Sequence, residues 1–267
     1  GTIGTLTNLG FKRPSDMCQI IRTWHFGRYK ATQSAEARER LTELTPALLK
    51  AFGSSMAPDD TLLRFDAFLQ GLPSGIQLFS LLQTNPALLD LLVLLMGAAP
   101  RLSEAITRKP HIFDGLLDPA IYRDMPTVAY LRERLDNFMD GVSGYEDNLD
   151  RLRIYASEQR FLIGVRMLTG ALQPVHAGRA MSDLADLVLQ RTLVLVEDEF
   201  ALKHGRIKGA RAALLGMGKL GSRELTAGSD IDLVLLYEHP DDAEESDGDK
   251  PLYPSHYYAR LTQRLIA

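Results

Sequence analysis

The stretch Leu214-Leu215-Gly216-Met217-Gly218-Lys219-Leu220-Gly221-Ser222-Arg223-Glu224-Leu225-Thr226-Ala227-Gly228-Ser229-Asp230-Ile231-Asp232 decides how this chain is read. Two interpretations compete for it. Gly216, Gly218 and Gly221 satisfy G-x-G-x-x-G behind an apolar run, the fingerprint of dinucleotide binding, although the pattern alone is weak. That fold needs a helix long enough to cross over to a parallel strand, in a unit of about 30 residues. Here eight residues separate Gly221 from Asp230, and the next apolar run follows at once. The spacing rules out a parallel crossover.

The second interpretation starts from Asp230 and Asp232. Ala212 to Gly216 and Ile231 to Tyr237 are short runs rich in Val, Leu and Ile, so both are predicted as strands. Residues i and i+2 of a strand share a face. Asp230 and Asp232 are therefore expected side by side, with Ile231 turned to the core. Two close carboxylates repel unless a cation lies between them, and magnesium takes a few carboxylates plus phosphate oxygens. Such ions clamp a triphosphate. The Gly221-Ser222 turn is expected to bring backbone N–H groups and a hydroxyl to the phosphates, helped by the start of a following helix, and Lys219 adds a positive charge. An isolated D-x-D usually faces solvent from an edge strand; the Gly-Ser turn at this distance is what lifts it above that default. Gly-Ser, a short helical turn and Asp-x-Asp on a strand together resemble the signature of the polymerase-beta-like nucleotidyltransferases.

Outward from this stretch, the preceding residues are helical by period. Leu41, Leu44 and Leu48 share a helix face that Gly53 stops, with a kink expected at Pro46. Asn85-Pro86 supplies an N-cap and a proline at the first helical position, and Gly97 a stop. Leu149, Leu152, Phe161, Val165 and Leu168 continue the period. Ser182 is predicted to cap the next helix, which Gly205 ends. Asn85 to Asp90 resembles Lys109 to Asp114, 24 residues later, but two copies are too few for a solenoid. Asp118 to Gly144 is the candidate boundary region. Asp241 to Lys250 reads as an acidic solvated loop, and Tyr257 to Ile266 returns to helical spacing. The expected architecture is mostly α with a small mixed α+β part: a helical bundle over 1–130, then a nucleotidyltransferase domain over 131–267.

Composition narrows the function classes. A 45% hydrophobic and 24% charged chain has the balance of a folded globular protein. A net charge of −4 without a basic stripe gives no reason to expect nucleic acid. The longest apolar run, Ala87 to Met96, is too short for a bilayer, which needs about 20 residues, so no membrane span is expected. Cys18 is the single cysteine, so neither an intrachain disulfide nor a cysteine zinc site exists, which fits a cytoplasmic protein. Trp24, His25, Arg28 and Tyr29 are expected to pack a helix rather than form a recognition patch. Lys203, His204 and Arg206 suit a helix C-terminus. His111, His176 and His256 have no partner at ligand spacing.

A more specific resemblance covers most of the chain. Gly218 to Leu236, the Ser246-Asp247-Gly248 loop and Tyr257-Tyr258-Ala259-Arg260-Leu261-Thr262-Gln263-Arg264-Leu265-Ile266 together resemble the glutamine synthetase adenylyltransferase family. So do Arg64-Phe65-Asp66, Leu72 to Phe79 and Glu158-Gln159-Arg160-Phe161 in the helical lead-in. The resemblance implies two related nucleotidyltransferase halves in the whole enzyme: one transfers AMP from ATP to a tyrosine of glutamine synthetase, the other removes it by phosphorolysis. The PII signal protein and glutamine bias the two. It implies magnesium held by Asp230 and Asp232, and nucleotide phosphates at Gly221, Ser222 and Lys219. The lead-in and the Ser246-Asp247-Gly248 loop favour the transferring half; Met217 favours the removing half. The family's third carboxylate, on a later strand, is expected outside this chain, so residues 1–267 alone are expected to be inactive. The rival interpretation is a non-catalytic docking module for glutamine synthetase or the PII protein.

Overall fold

The computed structural model describes residues 1–110, 115–116 and 126–266. The chain divides into two compact units, 1–121 and 122–267. The comparison of Asn85–Asp90 with Lys109–Asp114 and the position of His111 fall largely or wholly outside the described residues, as does the first part of the Asp118–Gly144 boundary region.

The first unit is helical among its described residues: α1 (Thr2–Asn8), α2 (Pro14–His25), α3 (Ala35–Gly53), α4 (Pro58–Gly71), α5 (Ile76–Thr84), α6 (Pro86–Ala98) and α7 (Pro100–Arg108). Leu41, Leu44 and Leu48 are buried on α3, as their spacing requires. Asn85 caps α6 by accepting from the Leu88 N–H, and the helix runs through Gly97 to Ala98. No single described helix is long and apolar enough to cross a membrane; α5 and α6 pass such a test only as a pair bent by 112°. Cys18 is buried on α2. Trp24 is fully buried and packs edge-on against Phe65 at 5.5 Å. Buried Asp66 accepts from Trp24 Nε1 at 2.7 Å, Tyr29 OH at 3.0 Å and Gln70 Nε2 at 2.8 Å. Trp24 and Phe65 are core residues, His25 and Tyr29 are half-buried and Arg28 is exposed; a carboxylate with three donors explains why that core tolerates a charge.

The second unit contains α8 (Val128–Met139), α9 (Tyr145–Leu168), α10 (Pro174–His204), β1 (Arg211–Gly216), the single turn α11 (Gly218–Gly221), β2 (Leu233–Glu238) and α12 (Pro254–Ile266). Helices α8, α9 and α10 share a core built from residues such as Leu131, Tyr155, Ile163, Met181 and Leu184. Tyr155 OH donates to the Leu131 carbonyl at 2.5 Å, and burial pushes its phenol up, so it stays a donor. Ser182 does not start a helix. It lies inside α10, fully buried, and its Oγ donates back to the Gly178 carbonyl at 2.9 Å. The helix begins eight residues earlier at Pro174, a residue suited to a first turn; a serine that bonds its own helix looks the same in sequence as one that caps it.

The two strands pair antiparallel, Gly216 opposite Leu233 and Arg211 opposite Glu238. That pairing is incompatible with the crossover of a dinucleotide fold. Ala212 and Leu235 pack on a second cluster with Phe200, Tyr257 and Tyr258.

The acidic loop is more ordered in role than its composition suggests. Gly248 N–H donates to His204 O and Lys250 N–H to Lys203 O, so the loop satisfies carbonyls at the end of α10. Arg206 N–H donates to Asp247 Oδ1 at 2.6 Å. His204 is buried, its Nδ1 2.6 Å from the Lys250 carbonyl. The Ser246-Asp247-Gly248 sequence is thus a helix-end staple. Tyr257 on α12 completes it by donating to the Gly205 carbonyl at 3.0 Å; burial raises its phenol against the pull of Arg206, which keeps the proton in place.

Candidate functional site

The three glycines that imitate a dinucleotide fingerprint have local steric causes. A Cβ on Gly216 would lie 2.8 Å from the Leu220 side chain. A Cβ on Gly221 would lie 2.8 Å from the Gly216 carbonyl oxygen. Gly218 has φ +53°, and a Cβ there would meet Asp232 Oδ2 at 2.9 Å. Together they let the chain leave β1, make one helical turn and fold back onto the strand end. Leu220 and Leu225 then plug the segment into the α8–α10 core. Each contributes about 1.5–3 kcal/mol if fully buried.

Asp232 precedes β2 instead of lying within it, and so does Asp230. The ladder still reaches Asp232: its carbonyl accepts from the Met217 N–H at 2.9 Å, one step beyond the Gly216–Leu233 pair. By strand parity the Asp232 side chain belongs with Val234 and Leu236, which are 41% and 52% exposed. Asp230 and Asp232 are both exposed, and among the described residues neither is spent in an ion pair. Asp230 follows a turn closed by Thr226 and Ser229: Ser229 N–H donates to Thr226 O, and Thr226 N–H to Ser229 Oγ at 3.0 Å. Sequence reasoning missed this device, although T-x-x-S around Ala-Gly carries the signal of a side-chain-closed turn. Ile231 does not face the core; it is 44% exposed. The strand begins two residues later than its apolar composition suggests, so Ile231 lies outside the ladder that would fix which way it faces.

The Gly221-Ser222 turn differs from expectation in a way that matters chemically. The helical turn precedes it, and no helix starts after it. Gly221 N–H donates to Met217 O, and Ser222 N–H to Gly218 O. Those two amides are engaged within the turn, while the Ser222 hydroxyl and the Lys219 ammonium are exposed. Ser222 Oγ donates to Glu224 Oε2 at 2.9 Å. Arg223, unremarked in the sequence, is the only non-glycine with positive φ among the described residues, at +63°.

The structure therefore brings Asp232 against Gly218, at the foot of the turn that carries Lys219, Gly221 and Ser222. Among the described residues no group of three His, Cys, Asp or Glu side chains is placed to hold a metal. Asp230 and Asp232 are exposed oxygen donors of the kind magnesium takes alongside retained waters and phosphate oxygens.

Residues 89–267 match the family model of glutamate-ammonia ligase adenylyltransferase. The chain belongs to this family. It is 67% identical over 267 residues to a bifunctional glutamine synthetase adenylyltransferase/adenylyl-removing enzyme of Brucella melitensis, covering all of this chain and 27% of that protein. Proteins of the same name from Rhizobium meliloti and Bradyrhizobium diazoefficiens are 60% identical over 266 residues and 43% identical over 262, covering 27% and 26% of their lengths. The chain thus spans about a quarter of the length of the curated relatives it matches. Family membership extends across the turn, both aspartates and the α10 staple, since all lie within the matched residues.

Proposed function

We propose that the second unit carries the nucleotide-binding end of a polymerase-beta-like nucleotidyltransferase domain. The reaction is transfer of AMP from ATP to a tyrosine hydroxyl of glutamine synthetase. The observation that carries this reading is the hairpin register, which lays the Asp232 carboxylate against Gly218 beside the Lys219–Ser222 turn. A carboxylate and a cation-plus-hydroxyl turn on one short loop suit a metal-bound triphosphate better than they suit packing, because all are exposed and polar.

Ser222 and Lys219 would hold phosphate oxygens, Ser222 exchanging its bond to Glu224 for one to the nucleotide. Gly221 would keep the turn low enough for that approach. Asp230 and Asp232 would hold magnesium, which when bound neutralises triphosphate charge and supports the leaving pyrophosphate. The tyrosine oxygen bonds to the α-phosphorus as its proton is lost to solvent, the bond from that phosphorus to the oxygen bridging to the β-phosphate breaks, and that oxygen departs with the pyrophosphate. The protein's share is orientation and fixed charge rather than covalent chemistry. The site needs a third carboxylate, and among the described residues none is grouped with this pair, so the separate 267-residue chain should show no transfer of its own. Control by the PII signal protein and residence in the cytoplasm follow from the same family reading.

The names of the relatives include both transfer and removal, so direction is the test. The natural full-length chain, with the other catalytic half inactivated, is given α-labelled ATP and glutamine synthetase. Transfer predicts label fixed on a tyrosine of glutamine synthetase. Release of ADP from adenylylated glutamine synthetase and phosphate, with no label fixed, would make this the removing half.

A further inference from the structure

We propose that Arg223 is a positioning residue that holds the Ser222 turn against α10 through Asp186 and Asp183. The proposal rests on the nucleotidyl-transfer reading above and adds to it how that turn is fixed. Arg223 Nη1 lies 2.5 Å from Asp186 Oδ2 and 3.6 Å from Asp183 Oδ1, two acids one turn apart on α10. Its backbone is left-handed at φ +63°, a conformation that costs a side-chain-bearing residue steric strain. Such a conformation persists where its surroundings impose it. Three restraints do so here. Leu220 and Leu225 anchor the chain on either side. The Arg223 N–H donates to the Leu220 carbonyl at 3.2 Å. Gly178 on α10 admits the turn so closely that a Cβ there would sit 3.2 Å from the Arg223 carbonyl oxygen and 3.3 Å from Glu224 Cα.

The left-handed residue separates Ser222 from Glu224, and so sets where the Ser222 hydroxyl points. An asparagine or glycine would adopt this backbone with less strain. The arginine brings a guanidinium that reaches two carboxylates of a different element. The pair is too exposed to add much global stability, with side chains 43% exposed for Arg223 and 36% for Asp186. Its consequence is placement: an error of about 1 Å at a reacting centre can cost about a hundredfold in rate.

The test uses the natural full-length chain, with calorimetric affinity for magnesium–ATP, kcat and KM for ATP, and the thermal midpoint measured on each variant. Arg223→Gly keeps the left-handed backbone without strain but removes the clamp, and Asp186→Asn removes its partner. Both are expected to weaken ATP binding and raise KM about tenfold or more, with the midpoint nearly unchanged. The charge swap Arg223→Asp with Asp186→Arg is expected to recover most of the ATP affinity. If Arg223 instead touched phosphate directly, Asp186→Asn would free it and tighten ATP binding; that result overturns the proposal, as does Arg223→Gly with unchanged ATP affinity and KM. Asp232→Asn is run alongside. If it too leaves turnover intact, the transfer reading itself has failed; if it alone abolishes turnover, only the clamp is wrong.

Discussion

Asp232→Asn in the natural full-length chain is expected to lower AMP transfer by about a thousandfold or more, with the fold intact. The size follows from the kind of group removed. An asparagine keeps the shape and the backbone bond from Met217 to the residue 232 carbonyl, but it withdraws one of the two negative charges of the proposed magnesium site. Removing one preorganised charge-stabilising contact typically costs about 10²–10³-fold, and a lost metal ligand adds to that. The fold should not register the change, because Asp232 is exposed and, among the described residues, forms no ion pair. The check is initial rate against magnesium concentration, with the far-ultraviolet spectrum and thermal midpoint as controls. Turnover within about tenfold of the parent would sink the assignment, since that is less than one such contact is normally worth.

Gly205→Ala is expected to be the most destabilising single-methyl change in the second unit, at about 3–5 kcal/mol. Gly205 has φ +69° and ψ −156°, a region open essentially to glycine alone. Space is also missing: a Cβ would lie 2.2 Å from Gly248 N and 2.3 Å from Asp247 Oδ1. Both are held by the bonds that cap α10, so neither moves without losing one of them. Strain of about 1–3 kcal/mol from the backbone combines with overpacking of similar size. Against a typical total of about 5–15 kcal/mol, that is a large fraction. Urea unfolding of the 267-residue chain followed by the second unit's signal would show it; a loss under about 1 kcal/mol would mean the staple is not rigid. Gly248→Ala should act alike, since its Cβ would approach Gly205 N to 2.2 Å.

How much of this was legible in sequence depends on the range of the interaction. Leu41, Leu44 and Leu48, the Asn85 cap, and the end of α10 at Gly205 were readable, because period and capping are local. So was the exclusion of a dinucleotide fold, which needed only the count between Gly221 and Asp230. What the sequence leaves open is of two kinds: local alternatives that the same residues suit equally well, and contacts between residues distant in sequence. Ser182 reads as a cap because nothing in its neighbours shows that α10 already begins at Pro174. Composition places Ile231 in the core, but the strand starts two residues after it. A Gly-Ser pair reads as two free amides, but the Met217 and Gly218 carbonyls already take those of Gly221 and Ser222. The Asp247–Gly248 staple and the Arg223–Asp186 contact span 41 and 37 residues, beyond any windowed pattern.

The central claim is that the turn at Lys219–Ser222 and the acids at Asp230 and Asp232 form one nucleotide and metal site. It is tested most directly by mapping manganese–ATP on the isotopically labelled 267-residue chain by magnetic resonance, because manganese broadens nearby amide signals without requiring the protein substrate or turnover. The account predicts that substoichiometric manganese with ATP broadens residues 218–223 and 229–233 first and together, that Asp232→Asn weakens this, and that signals from α10's Gly205 end stay sharp. Broadening confined to the acidic loop at Asp241–Asp249, with 218–223 and 229–233 unaffected, would contradict it.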